Sequence, residues 1–242
     1  MTRDLKLITA RRAYEFEMDS LRLSLLTLPQ VQGQIRETFG FQAGGLGTPQ
    51  PTFGPVPATV PPGLVFNFGA WQDSENTPVP IRFVHFEQKR IVIDVAGPSS
   101  VIDSIFQTIR AVVEDVLASD GSAALGEVER TLDYSEFSGR FSFHLGQLFA
   151  PQARNLFWKA VGPNEQDSSL AVAVPTIIVQ RNRPDEDYPG TGLAAESHVL
   201  TMSMRAGTRP DDGVSFSGAP LDSEAHREYL TQLEEALLSE GS

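Results

Sequence analysis

"IRFVHFEQKRIVIDVAG", residues 81–97, is the stretch that decides the fold class. Apolar and polar residues alternate on both sides of Gln88–Lys89, so two strands are predicted to meet at a short turn. That turn sets Glu87 opposite Arg90 and Phe86 opposite Ile91. Arg82, Val84 and Phe86 are then expected to share one face with Ile91, Ile93 and Val95. Phe83, His85, Val92 and Asp94 fall on the other, expected to be the half-exposed outer face. A hairpin with an apolar face needs a second layer to cover it.

A cover follows directly. From Ser100 to Ala118, Ile102, Ile105, Phe106, Ile109, Val112, Val113 and Val116 keep to one helical stripe. Ser100 and Asp103 have the spacing of a capping box, and Ser119, Asp120 and Gly121 stop the helix. Before the hairpin, Leu64, Phe66 and Phe68 alternate as in a strand. Residues 10–28 stay open between two readings. Tyr14, Phe16 and Met18 alternate, as do Leu21, Leu23 and Leu25 out of phase with them. Two strands about Asp19–Ser20 fit this pattern, and so does one helical stripe of Tyr14, Met18, Leu21, Leu25 and Leu28; strands are preferred, with Pro29 ending either element.

The second half repeats the rhythm. Val128, Arg130, Leu132 and Tyr134 alternate in a strand. A short helix is expected at 151–161, strands in "SLAVAVPTIIVQRN" (169–182) and "ESHVLTMSMRAG" (196–207), and an amphipathic helix at 222–238. Asp222 is positioned to cap that last helix, with Tyr229, Leu230 and Leu233 inward and His226 outward. Each half thus reads as an opening strand, an intervening segment, two antiparallel strands and a closing helix. The expected fold is α+β: an antiparallel sheet with amphipathic helices on one face and a two-fold topological pseudo-repeat.

Residues 44–63, "GGLGTPQPTFGPVPATVPPG", hold five glycines and six of the 17 prolines. Nothing before residue 44 has enough apolar periodicity to form its own core. The stretch therefore reads as a Pro/Gly-rich surface loop within a single domain spanning 1–242, and it has no P-x-x-P frame for a polyproline-binding groove.

The 19 Lys and Arg residues are outnumbered by 31 Asp and Glu, for a net charge of −12. With no basic block to displace counterions, nucleic acid and anionic membranes are disfavoured partners. The absence of cysteine removes disulfides, thiolate metal sites and cysteine nucleophiles. The first twelve residues lack a signal-peptide pattern, and no apolar run approaches membrane-spanning length, so a soluble cytoplasmic protein is expected.

Candidate chemistry is sparse. His85 and Asp94 fall as diagonal neighbours on one hairpin face, where a carboxylate would raise the basicity of an imidazole; they are the catalytic candidates, set against an ordinary strand pair. His144 and His198 have no partner at metal-binding spacing. Asp185, Asp187, Asp211 and Asp212 lie in two acidic loops and are the metal candidates, set against solvated turns. "GVSFSG" (213–218) does not fit a nucleophile elbow. Phe137, Phe141, Phe143, Phe149, Phe157 and Trp158 form either core or an apolar partner surface, and Met202 and Met204 share one face of a strand with the same two readings. No cofactor is expected. The leading expectation is a non-enzymatic interaction subunit or adaptor, binding a protein partner or itself. A small-molecule-binding domain with an apolar pocket comes second, and a hydrolase with an unfamiliar site third.

Overall fold

The computed structural model describes residues 4–17, 20–47, 63–72, 77–118, 125–141, 176–180, 199–204 and 214–240. The first half comprises β1 (Lys6–Phe16), α1 (Leu23–Leu26), α2 (Pro29–Phe39), β2 (Ala43–Gly47), β3 (Gly63–Gln72), β4 (Pro78–Phe86), β5 (Arg90–Val95) and α3 (Ile102–Ala118). The second comprises β6 (Val128–Arg140), β7 (Thr176–Gln180), β8 (Val199–Met204), β9 (Val214–Ala219) and α4 (Ser223–Glu240). The described strands form one antiparallel sheet in the order β2-β3-β4-β5-β1-β6-β9-β8-β7. The fold is α+β.

The strand order mirrors itself about the β1–β6 seam. Ala10 and Ser135 pair directly across it. Ala10 also faces Val95, the last residue of β5, and Ser135 faces Ala219, the last residue of β9. Four residues beyond each of those ends, Ser99 and Ser223 bond reciprocally: each backbone N–H donates to the other's Oγ, at 2.9 and 2.8 Å. A local pseudo-two-fold axis therefore relates the halves, and the starts of their closing helices are stitched together on it.

Both helices lie on the same sheet face. Tyr14 stacks on Phe106 of α3 at 3.8 Å between centroids and donates to Asp103 at 2.6 Å. Ser135, on the same face of the seam, contacts His226 of α4. Under α3 the core is hydrocarbon: Ile91, Ile93, Val95, Ile105 and Ile109 are fully buried. Burying that apolar area, at about 25 cal/mol per Å², drives this half together.

The hairpin forms as expected, with Phe86 opposite Ile91 and Glu87 N–H donating to Arg90 O at 2.8 Å. Arg82 departs from the expected face. The β4–β5 register shifts between Ile81 and Phe83, and the Arg82 guanidinium swings to the Asp94 side, donating to Ile8 O at 2.5 Å. The residue across from it, Phe68, has φ +58°. Its backbone is left-handed, its ring is 46% exposed, and it does not continue the Leu64–Phe66 stripe.

Residues 10–28 divide between the two readings. The first part is strand, as the alternation of Tyr14 and Phe16 predicts, but Leu23 and Leu25 lie in the short helix α1. Pro29 starts α2 instead of ending an element, because at the first helical position its missing N–H removes no bond. The Pro/Gly-rich stretch is not loop throughout: Gly44–Gly47 belong to β2, and Gly63 opens β3 opposite Gly47. The Ser100–Asp103 capping box is absent, since Asp103 is engaged by Tyr14 and Arg12. Asp222 does cap α4, accepting from Ala225 N–H at 2.8 Å. Tyr229 is exposed, contrary to the expected inward position. The helix expected at 151–161 lies outside the described residues.

Candidate functional site

The face of the seam opposite α3 and α4 carries a chain of charged side chains. Asp94, on β5, accepts from the Thr9 hydroxyl at 2.6 Å and from Arg11 Nε at 2.8 Å, with Arg82 Nε 3.9 Å away. The Arg11 guanidinium lies over the rings of Phe83 and Tyr134, at 5.5 and 5.4 Å. Tyr134 donates to Glu136 at 2.9 Å. Burial raises the Glu136 pKa, an effect the Tyr134 bond partly offsets. Further along, Glu15 accepts from Arg130 at 2.6 Å, and Glu87 lies 2.9 Å from Arg90 Nε.

His85 and Asp94 are both on this face, but the structure does not make them a pair. Register sets Asp94 beside Phe83 and His85 beside Val92. His85 Nδ1 instead lies 3.4 Å from Glu87, while Asp94 is committed to Thr9 and the arginines. Nor is either half-exposed: both are 99% buried, each with 1% relative exposure. His85 Nε2 has no hydrogen-bond partner and points toward Gly63, where a Cβ would stand 2.7 Å from it. The arrangement resembles a carboxylate-oriented base, but it is sealed on all sides. Asp185, Asp187, Asp211, Asp212, His144 and His198 lie outside the described residues.

A second histidine was placed wrongly from sequence. His226 is fully buried beneath α4. Ser135 Oγ donates to Leu221 O, which leaves its lone pair to accept from His226 Nδ1–H at 2.9 Å. His226 Nε2 then accepts from the Ser217 hydroxyl at 3.0 Å. Burial pulls the imidazole pKa down to about 4, against a small opposing effect of hydrogen bonding at Ser135. A serine on a neutral imidazole is the start of nucleophilic chemistry, yet Ser217 is as buried as His226 and no substrate atom can reach it. The pair acts as a polar rivet between sheet and helix.

Open surface lies elsewhere. A cleft of about 450 Å³ runs along the first turns of α4, between Leu7, Pro98, Arg227 and Thr231. The end of the sheet is more telling. Strand β2 is outermost in the described order and pairs with β3 on one side. Its sequence is Ala-Gly-Gly-Leu-Gly, uncharged, with Leu46 80% exposed. Leu46 is the most exposed large apolar side chain among the described residues, and Phe68 on the neighbouring strand is the next. Sequence reading missed this edge because the glycines gave it the look of a turn. By contrast, Met202 and Phe137, weighed as partner surface, are core.

Among the described residues, no helix is long and apolar enough to cross a membrane, and no group of acidic and histidine side chains is arranged to hold a metal ion. No family model matches the chain, and no curated protein matches it.

Proposed function

We propose that this protein is a non-enzymatic interaction subunit that takes up an extended polypeptide as an additional strand beside β2. The observation that carries this reading is the composition of that edge. An unpaired strand edge offers a row of N–H and C=O groups, and native proteins blunt such edges with charge, proline or a bulge. Residues 43–47 contain none of the first two, and their pairing with β3 runs without a register shift. Three glycines let another backbone approach closely, and Leu46 supplies an apolar anchor. The buried histidines support the same reading, since Ser217–His226 and His85–Glu87 are both closed to substrate. The acidity and lack of cysteine fit a cytoplasmic protein whose partner is neither nucleic acid nor membrane.

One observation favours a second reading, a small-molecule-binding domain. The cleft beside α4 falls within the usual volume range of ligand sites, though charged helix residues line much of it. Hydrogen exchange decides between them. The chain is compared alone and in the complex it forms in the cells that express it. New amide protection confined to residues 43–47 is the expected result. Protection around Leu7, Pro98 and Arg227, with β2 unchanged, would overturn the strand-capture reading.

A further inference from the structure

We infer that the cleft beside α4 binds a small monocarboxylate with an apolar body, the chemistry of a medium-chain fatty acid. The inference names a ligand for that cleft and stands whether or not β2 takes up a strand. The pseudo-two-fold axis supplies the argument, because it gives this side of the molecule a counterpart. Two residues beyond Ala10 and Ser135 lie Arg12 and Phe137, and four beyond Ser99 and Ser223 lie Asp103 and Arg227. Across the seam, Arg12 pairs with Asp133 and Phe137 pairs with Leu7. The trio Arg12, Asp103 and Asp133 is therefore matched by Phe137, Arg227 and Leu7.

The two trios are chemically unlike. In the first, the Arg12 guanidinium is held by Asp103 at 2.7 Å and by Asp133 at 2.6 Å, so the cation on the sheet has both of its carboxylates. In the second, the cation sits on the helix, and Leu7 stands where the counterpart has the Asp133 carboxylate. Arg227 lies over the Phe137 ring at 5.2 Å and, among the described residues, forms no ion pair. On this side lies the cleft of about 450 Å³, with Leu7, Pro98 and Arg227 in its walls.

A cation without a carboxylate, beside an apolar wall, fits a ligand that brings both missing parts. Its carboxylate takes the N–H donors of the guanidinium, and its hydrocarbon body lies against Leu7 and Pro98. The remaining charges limit the ligand to one negative charge. Glu224 and Glu228 also line the cleft. Neither is spent on Arg227: Glu224 accepts from Ser223 Oγ at 2.8 Å, and Glu228 accepts from Gln232 at 3.1 Å. A phosphate ester or a dicarboxylate would set its second charge against them, whereas a monocarboxylate needs only Arg227. The start of α4 adds the positive end of the helix dipole.

Octanoate is the probe, titrated into the isotope-labelled full-length chain and followed through the backbone amide resonances. Saturable shifts should gather at Leu7 and along Ser223–Gln232, with a Kd of about 0.1–1 mM, as one ion pair and a short hydrocarbon body allow. Octanol, which lacks the charge, and octyl phosphate, which carries a second one, should each bind at least about fivefold more weakly. Arg227→Gln should weaken octanoate binding by a similar factor, and circular dichroism checks that this exposed substitution leaves the fold intact. Absence of saturable shifts at ten times the expected Kd overturns the inference. So do shifts that gather away from the cleft, octanol binding as tightly as octanoate, or a folded Arg227→Gln variant with unchanged affinity. Octyl phosphate binding more tightly than octanoate overturns the assignment to a monocarboxylate. Shifts at residues 43–47 would bear on the strand edge alone, so the two readings fail separately.

Discussion

The two halves place opposite chemistry at the same position. On β5 the residues facing the closing helix are Ile91, Ile93 and Val95, and α3 answers with Ile105 and Ile109. On β9 the corresponding residues are Ser215, Ser217 and Ala219, and α4 answers with His226. At these positions one half is thus closed by hydrocarbon alone, while the other adds hydrogen bonds beside an apolar cluster of Phe137, Met202 and Leu230. Either solution works when complete: apolar area leaves water in the first, and every buried polar atom of the His226 ring is paired in the second. The two should respond differently to perturbation. The hydrocarbon under α3 is sensitive to any buried charge, whereas the interface under α4 carries a titratable histidine at its centre.

The largest effect is expected under α3. Ile109 is fully buried in α3 as part of the apolar cluster under that helix. Ile109→Asp places a carboxylate where nothing can pair with it and should cost about 4–5 kcal/mol. Urea unfolding at pH 7 measures this. Unchanged stability would show that the α3 stripe is not the seal it is taken to be.

The interface under α4 should reveal itself through pH. His226 has a folded pKa of about 4, below its ordinary 6.5. Between those values the unfolded chain binds a proton that the folded chain refuses, so stability falls as pH falls. The contribution is fully present above pH 6.5 and is lost by about pH 4, a change of about 3 kcal/mol. Carboxylates titrate in the same range, so the test is a difference. His226→Leu is less stable at pH 7, because Ser217 loses its acceptor, but the gap to wild type should narrow steadily toward pH 4. A constant gap across that range would mean that His226 is not held neutral in the folded chain.

The same contrast explains what the sequence made legible. Strand β5 announces itself because its inward residues are apolar and alternate with others. Strand β9, "VSFSGA", reads badly because its inward positions are Ser215 and Ser217 and its exposed one is Phe216, which inverts the usual pattern. His226 was placed outside for the same reason: helical periodicity treats histidine as polar, and only the serines across the interface make its burial affordable. The hairpin, α3, β6 and the pseudo-repeat were visible because hydrophobic patterning encodes them. The β2 edge was not, since glycine marks turns and close backbone approach alike. The His85–Glu87 contact spans one i, i+2 step along a strand face, and was passed over because Glu87 was read only as the turn residue facing Arg90.

A smaller effect should appear where the halves are stitched together. Ser99 and Ser223 each supply the acceptor for the other's buried N–H. Ser99→Ala and Ser223→Ala should each cost about 1–2 kcal/mol, the usual penalty for leaving a buried donor unpaired. If the junction acts as a unit, the double variant should cost less than the sum of the two, because the first substitution already loosens the second bond. Strict additivity in a double-mutant cycle would indicate two independent helix caps and weaken the view that this contact couples the halves.

The smallest effect is also the most sign-specific. Phe68 holds φ +58° where β3 and β4 both change phase, and it is the one non-glycine residue with positive φ among the described residues. A left-handed backbone costs a residue with a Cβ about 1–2 kcal/mol, and glycine nothing comparable. Comparing Phe68→Gly with Phe68→Ala removes the ring in both cases, so its burial cancels from the difference. In an ordinary strand position alanine is the more stable of the two by roughly 0.5–1 kcal/mol. Here the order should invert, with Phe68→Gly unfolding at higher temperature than Phe68→Ala. A thermal melt that keeps the ordinary order would place residue 68 in regular extended backbone. The phase change between Phe66 and Trp71 would then need a different cause.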